Sequence, residues 1–231
     1  MLKGVLCDMQ KRKIILGTYD TALEGLWTLT DWSLSRAEAY EEYVNVPGHG
    51  LLDLSTALTD GEPYYRSREF EATLESSEGS RLERETRIQS MINKIDGVRL
   101  NIVLPDDSLH YITGRVRVEK LFNTPAHASV KISATCDPWR YNNAETVVGV
   151  TAASTTKTVN LINNGRLSVI PRTKISGGTI TLKATINGRT TTWTRSDGTY
   201  NFVDLYLKTG TVAMTYSGTG TVTFTYREAV L

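Results

Sequence analysis

From residue 151 to the last residue threonine fills 20 of 81 positions, and no helical periodicity appears. β-Branched residues at this density suit a pleated, half-buried surface and disfavour a helix. The run "TITLKATI" is joined through Asn187 and Gly188 to "RTTTWTR", a strong two-residue hairpin signal. "SDG", "KTG" and "SGTG" punctuate further alternating runs. In the last of these Val222, Phe224 and Tyr226 share one face, and Thr221, Thr223 and Thr225 share the other. Short strands at regular spacing with turn signals between them predict a β-sandwich.

The first half is also mostly strand, with one clear helix. "REFEATLE" places Phe70, Ala72 and Leu74 on one face and charges on the other. "ASVKISATC" does the same with Val130, Ile132, Ala134 and Cys136. Between them Ser80 and Glu83 have capping-box spacing. Leu82, Ile88, Met91, Ile92 and Ile95 form an apolar stripe, and Gly97 follows as a stop, so a helix is predicted near 81–96. "VRLNIVL" and "LHYITGRVRVEKLF" read as a hairpin about the turn formers of "PDDS". The character changes at "DPWRYNNAE", where Pro138 interrupts strand pairing. Charge changes there too: residues 1–150 carry 17 Lys/Arg against 22 Asp/Glu, and residues 151–231 carry 9 against 3. This asymmetry suits two domains. The whole chain is close to neutral at +1, which excludes a generic binder of nucleic acid.

Catalytic patterns are missing. His49, His110 and His127 lack a second ligand at metal spacing. Cys7 and Cys136 make no CxxC pair, and Cys136 ends an apolar strand face, so both read as buried thiols. There is no GxSxG elbow and no phosphate-binding loop. The paired acids Asp106/Asp107, Glu69/Glu71 and Glu83/Glu85 each have a turn, surface or capping role; Glu83 also has Arg87 four residues on as a helix-surface partner. The expectation is no enzyme, no metal and no cofactor. The first residues lack the apolar core of a signal peptide, and no run is long enough to insert into a membrane.

Two features are left as candidates for contact. Trp193, Tyr200, Tyr206 and Tyr216 lie on or near the strands of the second half. As a set they read as core, Tyr206 sharing a face with Phe202. Trp193 alternates with Arg and Thr and reads as exposed, so Trp193 and Tyr200 are candidate contacts for a sugar or a partner. The other feature is "YVNVPGHGLLDLS" (43–55). Pro47 ends a strand, Gly48 and Gly50 allow a tight corner, and Asp53 can bond N–H groups of the turn. His49 is expected at the exposed tip. Leu51, Leu52 and Leu54 are expected to return to the core.

Several segments, in order, resemble the distal tail proteins of long-tailed bacteriophages: "YVNVPGHGLLDLSTAL", "YRSREFEATLE", the helix ending "INKIDG", "LPDDSLHYITGRV" and "VKISATCDPWRY". The resemblance spans about residues 26–141. Its motif residues here are Pro47, Gly48, Asp53, Gly114, Arg115, Cys136, Pro138, Trp139 and Tyr141. It implies a mainly β chain of two domains. The first, residues 1–141, would be a β-sandwich or split barrel with one α-helix. The second, 142–231, would be a galectin-like or carbohydrate-module-like sandwich. It implies a non-enzymatic hub at the distal end of the virion tail, made in the host cytoplasm. Such a hub is a homo-hexameric ring joining the tail-tube protein to tail-tip proteins, its outer domain facing receptor-binding proteins or cell-surface glycan. No arm-forming insertion is visible in the second half. For the ring interface, the sequence offers open strand edges, the loops at 36–43 and 59–66, and Arg115, which reads equally as a partner for a neighbour's carboxylate or as a solvated side chain. The competing reading is a carbohydrate-binding module or adhesin acting through the second domain.

Overall fold

The computed structural model describes residues 12–57 and 63–231. Cys7 and the first half of the 59–66 loop lie outside them. Contacts divide the chain into two compact units, residues 1–138 and 139–231.

The first unit contains β1 (Ile15–Leu16), β2 (Tyr19–Asp20), α1 (Thr21–Gly25), β3 (Thr28–Leu34), β4 (Tyr43–Val46) and β5 (Gly50–Asp53). It continues with β6 (Arg68–Ser76), α2 (Arg81–Ile95), β7 (Arg99–Leu104), β8 (Asp107–Asn123) and β9 (Ala128–Cys136). Seven strands form one antiparallel sheet in the order β2-β1-β7-β8-β9-β6-β3. The Leu29 N–H in β3 donates to the Arg12 carbonyl, just before β1, at 3.0 Å. One end of the strand path, β3, therefore touches the chain just before β1, next to the other end, without a ladder, and the sheet curls into a split barrel. Its interior is filled from alternate strand positions, among them Phe70, Leu74, Val130, Ile132, Ile112 and Val116.

Helix α2 starts where the sequence places it. Ser80 Oγ accepts from the Glu83 N–H at 3.3 Å, and Glu83 Oε2 accepts from the Ser80 N–H at 2.6 Å. That cap holds the Glu83 carboxyl below its usual range, first through the Ser80 N–H. Arg87, expected to pair with Glu83, also lowers that carboxyl electrostatically, and it donates to the Glu78 carbonyl. The buried stripe differs from the predicted one: it is Arg84, Ile88, Met91 and Ile95, while Leu82 is 77% exposed. Leu82 sits half a turn away from that stripe. Arg84 is only 1% exposed, and its guanidinium reaches the Gly79 carbonyl, the Thr124 and Pro125 carbonyls at 2.7 and 2.8 Å, and Asn123 Oδ1 at 3.4 Å. Its planar fork is suited to several acceptors at once.

The five-residue α1 was not legible from periodicity. Asp20 caps it, its Oδ1 accepting from the Ala22 and Leu23 N–H groups at 3.0 and 3.1 Å.

The second unit contains β10 (Arg140–Asn142), β11 (Thr146–Thr151), β12 (Lys157–Asn163), β13 (Arg172–Ser176) and β14 (Ile180–Ile186). It ends with β15 (Arg189–Arg195), β16 (Gly198–Asn201), β17 (Gly210–Gly218), β18 (Thr221–Tyr226) and β19 (Ala229–Val230). Two antiparallel four-stranded sheets, β11-β18-β13-β16 and β12-β17-β14-β15, enclose a core of Leu161, Ile175, Leu182, Met214, Val222 and Phe224. This is a β-sandwich. Tyr226 ties the sheets together, its hydroxyl donating to the Ile162 carbonyl at 2.6 Å. The β14–β15 turn has φ +50° at Asn187 and +75° at Gly188, as a type I′ hairpin requires.

Candidate docking surfaces

No group of three or more metal-ligating side chains occurs among the described residues. Among the described residues no helix is long and apolar enough to cross a membrane. His110 Nδ1 lies 2.7 Å from Asp107 Oδ1 within β8, and His127 packs edge-on against Phe122 at 5.0 Å. Cys136 is buried, and burial pushes its thiol up to about 12. A Cys7→Ser chain is therefore expected to resist iodoacetamide at pH 8 until it is unfolded; rapid alkylation of the native chain would contradict this. Linkage gives the sign of the pH effect. The unfolded thiol titrates near ~8.5, so the stability from burying the neutral form is complete below that value and lost as pH rises through about 12.

The motif residues of the first unit have local roles. Gly114 stands opposite Cys136 in the β8–β9 register. A Cβ at Gly114 would lie 2.5 Å from Cys136 Sγ and 3.0 Å from the Thr135 carbonyl oxygen, so only glycine fits without a shift. Gly114→Ala is expected to cost about 1–3 kcal/mol by overpacking. In urea unfolding, Cys136→Ala should recover part of that loss, because it removes the closest atom; strict additivity of the two changes would refute the steric account. Arg115 donates to the Gly97 carbonyl at 2.5 Å, just past α2. That serves the helix end, while the side chain as a whole stays exposed. Beyond Cys136, Arg99 makes a bidentate pair with Asp137 at 2.6 and 2.7 Å. Pro138 sits at the division between the units, and Trp139 and Tyr141 after it are half-buried.

The 43–55 stretch folds as the isolated hairpin β4–β5, paired in register from Tyr43 opposite Asp53 to Val46 opposite Gly50. The His49 N–H returns to the Val46 carbonyl at 3.0 Å, with Pro47 and Gly48 at the corner and Gly48 at φ +83°. That is the residue order of a type II turn. Asp53 accepts from the Ser55 N–H at 2.9 Å, and hydrogen bonds from the Ser55 side chain and backbone hold its carboxyl below the usual range. The leucines do not return to the core. Leu51 is 69% exposed and Leu52 49%, with Tyr43 and Val44 exposed beside them and Leu54 half-buried. The strand alternation of the sequence is real, but β4–β5 joins neither the barrel nor the sandwich. A two-stranded ribbon with no layer packed on it cannot hide either face. Two-stranded ribbons are marginal in water by themselves. At the foot of the hairpin Tyr40 and Tyr64 meet edge-on at 6.4 Å, with the Arg66 guanidinium 5.5 Å over Tyr40.

In the second unit the edge of the β12-β17-β14-β15 sheet bears a hollow of about 250 Å³. Trp193, Thr191 and Arg189 of β15, Asn187 of the turn, and Asp204 and Tyr206 beyond β16 line it. Trp193 is only 8% exposed, against the exposure expected from its Arg and Thr neighbours. Its ring packs 5.3 Å from Phe202, and the residue lines the hollow. Tyr200 stacks on Phe202 at 5.7 Å and its hydroxyl donates to the Ser196 carbonyl at 3.0 Å, so it takes no part in lining the hollow. Tyr206 does, with Asn187 Nδ2 donating to its hydroxyl at 2.6 Å. Asp204 and Arg189 were not singled out in the sequence, because nothing local marks them.

No protein-family model and no curated protein sequence matches the chain. Among solved structures it is similar to the crystal structure of the SPP1 Dit (gp 19.1) protein, a paradigm of the hub adsorption apparatus in phages that infect Gram-positive bacteria. The TM-score is 0.64 at 14% identity, over 95% of this chain and 99% of that one. At that identity the likeness is one of fold, and the fold of this chain is the mainly β, Dit-like fold.

Proposed function

We propose that this protein is a non-enzymatic structural hub at the distal end of a phage tail, forming a homo-hexameric ring that joins the tail tube to the tail-tip or adsorption proteins. The fold match over nearly the whole chain supports the hub reading. The observation that carries the ring is the β4–β5 hairpin, whose Tyr43, Val44, Leu51 and Leu52 face solvent in the single chain. Apolar side chains clustered on a ribbon outside any core mark an interaction surface.

A closed ring needs two different, complementary patches on each subunit. The hairpin side is acidic, with Glu38, Glu41, Glu42 and Asp53 around the apolar residues. A second patch fits it in chemistry. The end of β8 meets the first turn of α2, where Asn123 Nδ2 donates to the Arg81 carbonyl at 3.0 Å and to Glu85 Oε2 at 2.9 Å. Leu82, Leu121 and Phe122 are exposed there, with exposed Arg81 and Arg117 on the same two elements. Apolar would then meet apolar, and although Glu83, Glu85 and Glu119 share those two elements, the exposed Arg81 and Arg117 can face the acids of the hairpin.

Crosslinking tests this pairing. In a Val44→Cys, Leu121→Cys chain a short bis-maleimide should give a ladder of interchain products ending at six. A double-cysteine chain that gives no product larger than a dimer would overturn the pairing. The rival reading, a carbohydrate-binding protein acting through the second unit, is favoured only by the hollow beside Trp193.

A further inference from the structure

We propose that the hollow at the edge of the second unit binds one pyranose ring, held between Trp193 with Tyr206 and the two charged residues Arg189 and Asp204. The inference stands apart from the ring reading, which concerns the first unit.

The charges come first. Arg189 and Asp204 both line the hollow, and neither side chain has a hydrogen-bond or ion-pair partner among the described residues. They are opposite in sign yet do not pair with each other. A ligand of either net charge gains from one group and is opposed by the other. A neutral ligand with donors and acceptors side by side uses both. Vicinal hydroxyls donate to the Asp204 carboxylate, and a neighbouring hydroxyl or ring oxygen accepts from the Arg189 guanidinium.

The wall comes next. Trp193 is fixed from behind by Phe202, so its ring needs little ordering when a ligand arrives. The C–H groups of a sugar ring are apolar and pack against such a surface, while Thr191 and the Tyr206 hydroxyl offer polar atoms at the rim. The Asn187–Tyr206 hydrogen bond ties the hairpin turn to the segment beyond β16, which holds two sides of the hollow at a set distance. Size is the last constraint. About 250 Å³ lies just below the ~300–1,000 Å³ of sites for drug-sized ligands, so one ring fits and a chain must leave the hollow at its open side.

The test is saturation-transfer NMR on the full chain, with D-glucose, D-galactose and N-acetyl-D-glucosamine as separate probes. At least one probe should give saturable transfer through its ring C–H protons, with a Kd near ~1 mM. Asp204→Asn and Arg189→Ala should each weaken it by roughly tenfold. Both side chains are exposed, so the fold and its thermal midpoint should be unchanged in either variant. Tyr200→Phe, outside the hollow, should bind as the parent does. No saturable transfer from any of the three sugars, or undiminished binding in Asp204→Asn, overturns the proposal. Ring formation is measured separately, so failure here would leave the hub reading as it stands.

Discussion

Arg84→Ala is expected to lower the stability of the first unit by about 2–4 kcal/mol, the effect of stranding several buried carbonyls and leaving a cavity. The guanidinium reaches from α2 into the bend between β8 and β9, joining Gly79 before the helix to Thr124 and Pro125 after β8. Its removal strands those carbonyls and opens a space beside Ile88, while no other donor of the helix face replaces it. Arg84→Lys should recover only part of the loss, since a single ammonium cannot reproduce the fork. Urea unfolding followed by circular dichroism measures both. A loss under about 1 kcal/mol for Arg84→Ala would mean that water satisfies the bend as well as the arginine does.

Leu51→Asp combined with Leu52→Asp is expected to abolish ring formation while leaving each unit folded. In the single chain both leucines are exposed, so neither change removes core contacts. In the ring both would be covered. Two carboxylates would then be taken out of water into an apolar contact already rimmed by Glu41, Glu42 and Asp53. The desolvation alone is several kcal/mol per charge, enough to shift assembly by orders of magnitude in concentration. Sedimentation velocity should show the parent as a large species and the variant as a monomer with an unchanged melting curve. A variant that still assembles would remove the hairpin from the interface.

The sequence was most legible where one local rule acts alone. Strands β6, β9 and β18 follow from strict alternation, α2 from its capping box, and the β14–β15 turn from Asn-Gly. Legibility failed where burial depends on what lies opposite. Leu82 was placed in the helix stripe because it is apolar, yet Arg84 occupies the buried side, since its long stem packs and its head meets carbonyls from a bend some 40 residues away. Leu51 and Leu52 alternate as strand residues should, but alternation does not reveal whether a second layer covers them. Trp193 looked exposed among Arg and Thr, and Phe202 covers it. The hollow was hidden for the same reason, because the fold brings Asp204 and Tyr206 to Arg189 from across β16.

The account rests on a ring, and the mass of the purified full chain in solution tests it most directly. Multi-angle light scattering over a rising concentration series should give a mass of six subunits, and negative-stain images of that peak should show a six-fold annulus with a central channel. A chain that stays at 25.6 kDa at the highest concentration reached, and that forms no annulus when mixed with its tail-tube protein, would contradict it.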